Sequence, residues 1–497
     1  MLENLILGLA TAVTPENLAF CFLGVLLGTL IGVLPGLGPA ATIAMLLPAT
    51  FTFSPTTSLI MLAGIYYGAQ YGGSTTAILI NIPGESSSVV TAIDGHQMAR
   101  KGKAGTALTI AALGSFFAGS VATLIIAFFA PPLAEVALQF HPADYFSLMV
   151  LGLIGAVVLA SGSLLKAIAM VILGLACGII GTDVNSGAQR FTFGIPELSD
   201  GIGFVAVAMG MFGITEIVRN LEDQTTRTTI AAKVSSLLPS KADLMASIAP
   251  VLRGTALGSL LGILPGGGAL LSAFASYSIE KKLSKTPERF GHGAIEGVAG
   301  PESANNAGAQ TSFIPMLTLG IPSNPVMALM VGAMMIQGIA PGPQVMTAKP
   351  DLFWGLIVSM WLGNLMLVIL NLPLIGIWVR LLTVPYHILF PAVLVFCTIG
   401  AYSLNNSSFD IWVMALFGII GYILAKLDCE PAPMLLGFIL GPLMEEYLRR
   451  AMLLARGDPT IFVSRPISAT LLAMAAIALI IVISPSIRSK REEALRE

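Results

Sequence analysis

The sequence predicts an all-α polytopic membrane protein. It is expected to have about twelve transmembrane helices, some re-entrant or broken, in two structural repeats of inverted topology. Three observations carry this reading. The chain has 497 residues, 55% hydrophobic and 10% charged, with mean hydropathy +0.87, whereas soluble domains carry roughly 25% charge. Residues 17–84 and 303–348 contain no Asp, Glu, Lys or Arg, and a spanning helix needs ~20 apolar residues. Finally, "GTLIGVLPGLGPA" at Gly28–Ala40 returns as "GSLLGILPGGGAL" at Gly258–Leu270, identical at seven of thirteen positions. A β-barrel would instead show short alternating strands.

Charge places the loops. No Lys or Arg precedes Arg100, and basic stretches then follow at 100–103, 219–241, 281–289 and 449–465. The positive-inside rule makes these cytoplasmic. "PPLAEVALQFHPAD" at 131–144 lacks Lys and Arg and is assigned outside. The chain divides into a first membrane repeat at 1–225, a cytoplasmic linker at 226–245 and a second repeat at 246–447. Residues 448–497 form a basic loop, a final transmembrane helix of open orientation and a charged tail. The N-terminus, with Glu3 and no Lys or Arg, lacks the basic start of a signal peptide.

The repeated phrase breaks a helix. Pro35 and Pro265 remove a backbone donor. Gly36, Gly38, Gly266, Gly267 and Gly268 leave the backbone bare. Within a bilayer, such a break survives where protein or a water-filled cavity covers the freed polar groups. The helix that resumes at Ala40 or Ala269 aims its N-terminal amides at the gap, which favours an anion. Gly28/Gly32 and Gly258/Gly262 have the spacing of close helix packing. There Ala is expected to be tolerated.

Related polar phrases follow each break: "AQYGGSTTAILINIPGE" at Ala69–Glu85 and "AQTSFIPMLTLGIPSN" at Ala309–Asn324. Ser74, Thr75, Thr76 and Asn81 in the first half, and Asn305, Asn306, Gln310, Thr311, Ser312, Ser323 and Asn324 in the second, join the Pro-Gly residues as candidate substrate contacts. Each of these polar groups could equally make an interhelical hydrogen bond, but polar groups inside a membrane are costly and mark pathways. Glu85, Glu302 and Gln70 are candidate ion-coupling residues. His96 reads as a solvated loop residue.

No phosphate-binding G-x-x-x-x-G-K-[ST] and no H-E-x-x-H occurs, so an enzyme is not expected, nor any cofactor. The four cysteines have no ligand spacing, so no metal site is expected. Nothing points to nucleic acid.

The phrases "GTLIGVLPGLGPA", "YYGAQYGGSTTAILINIPGE", "DGHQMARKGKAG", "LRGTALGSLLGILPGGG" and "EGVAGPESANNAGAQTSFIPMLTLGIPSNPVMALM" resemble the large membrane subunit of the bacterial tripartite tricarboxylate transporters. The resemblance covers essentially the whole chain. It implies a multi-pass permease of the bacterial inner membrane, partnered by a small four-helix membrane subunit and a periplasmic solute-binding protein. It further implies secondary symport of a citrate-like tricarboxylate or related organic anion, driven by a cation gradient of Na⁺ or H⁺. With no Lys or Arg in the proposed pocket, a co-bound cation would offset the substrate's charge. An organic-anion exporter or a channel is the alternative.

Overall fold

Helix starts are written locally, by a capping oxygen followed by proline. Thr14 accepts from the Asn17 amide ahead of Pro15, Ser54 from Thr57 ahead of Pro55, and Asn324 from Met327 ahead of Pro325. Each pairing satisfies an orphan amide and presets φ at the first helical residue.

The computed structural model describes residues 1–34, 38–160, 163–183, 186–222, 237–264, 268–381 and 386–483. The first half opens with α1 (Leu2–Ala12), α2 (Pro15–Val33), α3 (Pro39–Thr50) and α4 (Pro55–Ile80). α5 (Val89–Met98) leads through a π-turn into the long α6 (Ala104–Ala137), followed by α7 (Pro142–Leu159) and α8 (Leu164–Gly178). A minimal antiparallel hairpin, β1 (Gly181–Thr182) and β2 (Gln189–Arg190), precedes α9 (Phe204–Ala208) and α10 (Thr215–Glu222). The second half runs through α11 (Lys241–Leu261), α12 (Gly268–Leu283), α13 (Glu296–Thr311), α14 (Phe313–Leu319), α15 (Pro325–Ile336) and α16 (Gln344–Ala348). It continues with α17 (Pro350–Asn371), α18 (Ile375–Leu381), α19 (Tyr386–Asn405) and α20 (Ser408–Lys426). α21 (Pro431–Leu454), α22 (Ile461–Ser464) and α23 (Pro466–Ile483) complete it. Among the described residues, six helical stretches are long and apolar enough to cross a membrane.

The glycine phrases decide the chain direction. Along α2, Gly24, Gly28 and Gly32 meet the backbone of Met61, Ile65 and Ala69 on α4, in that order. A Cβ on Gly28 would lie 2.5 Å from the Ile65 carbonyl oxygen and 2.9 Å from the Gly68 Cα. Along α11, Gly254, Gly258 and Gly262 meet Gly300, Ala304 and Gly308 of α13 in the same ascending order. Both pairs therefore run parallel, so α3 and α12 must carry the chain back. The chain thus reverses between α2 and α3 and again between α11 and α12. Small residues make this approach possible because in lipid the packing itself drives association.

The halves meet along α4 and α13. Ser74 bonds to Glu302, while Ile78 and Val298 both flank Gly95 of α5. Positions rise along α4 as they fall along α13, so these two helices are antiparallel.

Two loop assignments cannot both hold. Arg465 pairs with Asp144 at 2.9 Å, and Tyr145 stacks on Tyr447 with ring centroids 4.9 Å apart. The stretches read as opposite sides of the membrane thus share one face. Arg449 and Arg450 are likewise paired, with Asp183 and Glu445 and with Glu446. A tally of basic residues cannot see that these arginines are there to hold acidic partners in place. His96 is also corrected. It lies on α5, half-buried, with its ring Nδ1 3.1 Å from the Ile78 carbonyl near the end of α4.

Candidate substrate site

The start of α3 at Gly38–Pro39 and the start of α12 at Gly268 face one cavity of about 600 Å³. Two further helix starts reach it: Asn324–Pro325 of α15 and Glu430–Pro431 of α21. Four amide-bearing ends converging on one space favour negative charge there. The lining contains no Lys or Arg, yet includes the carboxyl-bearing Glu85, Glu216 and Glu430. Tyr66, Gln70 and Ser323 add neutral polar groups.

The edge residues are held by their own turns. Glu85 caps a short 3-10 turn, Ser86–Ser88, and Ser88 Oγ in turn accepts from the Glu85 amide at 3.4 Å. Ser87 Oγ lies 2.8 Å from Gln70 Oε1 and in close contact with the Glu85 carboxylate. Opposite them, Asn324 Oδ1 accepts from the Met327 amide at 3.0 Å, and its Nδ2 donates to the Tyr66 hydroxyl at 3.4 Å.

Of the residues read from sequence, Gly38, Gln70, Glu85, Gly268, Ser323 and Asn324 line this cavity. Pro35, Gly36, Pro265, Gly266 and Gly267 lie outside the described residues. The others sit elsewhere. Ser74 and Thr75 face a separate void of about 10 Å³ that also contains Glu302. Thr76 Oγ1 donates to the Val33 carbonyl at 3.0 Å, fixing the end of α2. Asn81 is the left-handed C-cap of α4, at φ 59°, and is exposed.

On α13, Asn306 Nδ2 donates to Ser115 Oγ at 2.7 Å, while Asn305 Nδ2 and Asn306 Oδ1 are buried without protein partners. Both amide atoms of Gln310 are buried and unpartnered too. Thr311 and Ser312 donate to the carbonyls of Ala307 and Ala309 in their own helix, at 3.0 and 2.7 Å. Sequence reasoning missed Tyr66, Glu216 and Glu430. Glu430 alone carried a signal, since an acidic residue directly before proline marks a helix start.

Asp94 is a structural clamp. Buried on α5, it accepts from the amides of Gly291, Gly293 and Ala294 at 2.6–2.9 Å and from the Tyr277 hydroxyl at 2.9 Å. It thereby fixes the approach to α13. Among the described residues no group of His, Cys, Asp and Glu is arranged to hold a metal ion.

The chain has relatives among known proteins. The chain is 63% identical over 497 residues to an uncharacterized 52.8 kDa protein in TAR-I ttuC' 3'region of Agrobacterium vitis, covering all of this chain and 99% of that one. It is 65% identical over 240 residues to an uncharacterized protein in TAR-II ttuC' 3'region of the same organism, covering 48% of this chain and 99% of that one. No solved structure matches. The model of the tripartite tricarboxylate transporter TctA family, a family of transport proteins and not of enzymes, matches residues 18–436. This membrane protein therefore belongs to that family.

Proposed function

We propose that this chain is the permease of a tripartite secondary transporter in the bacterial inner membrane, importing a citrate-like organic anion together with Na⁺ or H⁺. A periplasmic binding protein delivers the anion, and a small four-helix membrane subunit completes the complex. On this reading residues 1–225 and 246–447 are inverted repeats of about twelve spans in all. Support comes from the parallel pairs α2/α4 and α11/α13, with α4 antiparallel to α13.

One observation carries the transport reading. The cavity combines four helix starts, which attract an anion, with Glu85, Glu216 and Glu430, which repel one. A cation between substrate and carboxylates reconciles the two, and half-helix ends are where secondary transporters hold anions. Gly38, Gly268, Ser323 and Asn324 are the proposed anion contacts, with Gln70 and Glu85 on the cation side.

The test is citrate uptake into proteoliposomes holding both membrane subunits, with binding protein outside and Na⁺ and pH gradients imposed separately. Uptake should respond to one of the two gradients. A response to neither, or uptake by this chain reconstituted alone, sinks the proposal.

A further inference from the structure

Glu302 is 1% exposed, and no ion pair reaches it among the described residues. Its carboxyl is surrounded by hydroxyls from three other helices. Ser74 Oγ of α4 lies 2.7 Å from both carboxyl oxygens, Thr91 Oγ1 of α5 contacts Oε1, and Ser115 Oγ of α6 lies 3.5 Å from Oε2. The charged groups on the neighbouring elements are engaged with other partners. Asp94 on α5 is saturated by three amides and Tyr277. Arg253 on α11 pairs with Glu280 on α12. His96 lies against the Ile78 carbonyl, and the Tyr71 hydroxyl donates to Asn364 at 3.5 Å. Glu85 faces the cavity beside Ser87. A lone carboxylate charge buried this way is strongly disfavoured and must be neutralised where it stands.

We propose that Glu302 is the proton-carrying group of the cotransport cycle, at a site distinct from the anion cavity. This rests on the transport reading above but not on which anion is carried. Two features select a proton over a metal cation. The void beside Glu302 is about 10 Å³, at or below the size that admits one water, so a partly hydrated ion finds no room. Hydrogen counting agrees. The Ser74 hydroxyl has one hydrogen, and the Gln70 carbonyl one turn back lies 2.9 Å away, in position to take it. The contact between Ser74 and Glu302 is then completed by a hydrogen on the carboxyl.

The step is a simple one: the carboxylate takes one proton from the outer side, becomes the neutral acid, and returns that proton to the inner side. The link to the anion runs through Gln70. Its backbone carbonyl meets Ser74, its side chain meets Ser87, and Ser87 meets Glu85 at the cavity wall. A movement of Glu85 on anion binding is thus felt at Ser74.

The experiment is infrared difference spectroscopy on the purified two-subunit membrane complex, without substrate. The expected result is a protonated-carboxyl band at neutral pH that persists from Na⁺-free to Na⁺-saturated buffer. It should be absent in Glu302→Gln and shifted in Ser74→Ala. Loss of the band on adding Na⁺, or its loss in Glu85→Gln but not in Glu302→Gln, overturns the assignment. If Glu302→Gln fails to assemble, the Na⁺ titration of the wild type and the shift in Ser74→Ala still decide. The second arm is labelled citrate in proteoliposomes. Glu302→Gln should lose acceleration by an imposed pH gradient at least tenfold while keeping citrate–citrate exchange, which needs no net proton movement. Pronounced gradient-driven uptake by this variant overturns the proposal, whereas loss of all citrate handling by the wild type would indict the transport reading instead.

Discussion

At the cavity edge, Glu85 in the first half and Asn324 in the second occupy matching steps of one local plan. Asn81 and Gly320 both close a helix in the left-handed region, at φ 59° and 72°. Ile-Pro follows at 82–83 and 321–322, then one small residue, then the N-cap of the next helix. The backbone is repeated and the charge is not. Gln70 likewise meets Ser87, whereas its counterpart Gln310 is buried with no partner. The repeat thus supplies two equivalent backbone edges, and substitution at single positions makes one edge acidic and the other neutral. On the proposed reading, in which an anion and a cation bind side by side, that asymmetry is what the site needs.

The deepest way to break the comparison is to separate the parallel helices. The sequence alone allowed Ala at Gly28 and Gly258. The structure corrects this, because at both positions a Cβ would run into backbone of the facing helix, which cannot rotate away as a side chain can. Each substitution should cost about 3 kcal/mol or more, at or beyond the upper end of ordinary overpacking. Gly28→Ala and Gly258→Ala should then give little assembled complex by size-exclusion chromatography. Normal assembly of both would refute the parallel packing.

Next in size is an exchange of charge between the two caps. Glu85→Asn retains a capping side chain but removes the acid, and Asn324→Asp retains the cap and adds one. Glu85→Asn should lower kcat/KM for citrate uptake tenfold or more, about 1.4 kcal/mol. Asn324→Asp should act mainly through KM, by placing a carboxylate against the anion. Equal effects of the two would mean that the halves are not differentiated.

Much of this was legible in the sequence, and the limits have physical causes. Uncharged runs reveal membrane helices because a charge there is expensive. The direction of the chain after the break was not legible, since Pro-Gly ends a helix equally well whether the chain continues or turns back. The answer lay in the complementary four-residue spacing of Gly64, Gly68 and Gly72 on α4, which fit against α2. Five of the six candidate residues that reach the cavity sit at helix starts, where sequence signals are strong, while Gln70 reaches it from the middle of α4. Ser74 and Thr75 went elsewhere because, inside a helix, the face a hydroxyl presents is set by tertiary packing. Glu216, in the first turn of α10, belongs to no repeated phrase or Pro-marked helix start.

A smaller effect separates the two reversals. A Cβ on Gly38 would have nothing within 4 Å, whereas Gly268 has φ +47° and Asn324 3.5 Å away. Gly38→Ala should leave thermal unfolding unchanged yet weaken citrate binding several-fold, because the methyl enters the space beside the α3 amides. Gly268→Ala should add about 1–2 kcal/mol of left-handed strain as well. Should Gly38→Ala bind citrate as tightly as wild type, the anion does not approach α3.

The smallest predicted effect is at Asn81, which the sequence placed among the substrate contacts and the structure places at the exposed end of α4. Its φ of 59° is a conformation that Asn tolerates and Gly favours. If its role is only to end the helix, Asn81→Gly should be within a few tenths of a kcal/mol of neutral, and Asn81→Ala should cost about 1 kcal/mol through the left-handed penalty. Neither should alter the KM for citrate. The matching Gly320 gives the control: Gly320→Asn should be tolerated better than Gly320→Ala, although its Cβ position lies 2.7 Å from the Pro341 carbonyl, so both will cost more than their counterparts at 81. Thermal unfolding of the four variants, read beside citrate KM, separates the cases. A rise in KM for Asn81→Gly with unchanged stability would return Asn81 to the substrate path, and the five-residue match between the halves would then owe its asparagine to the ligand and not to the turn.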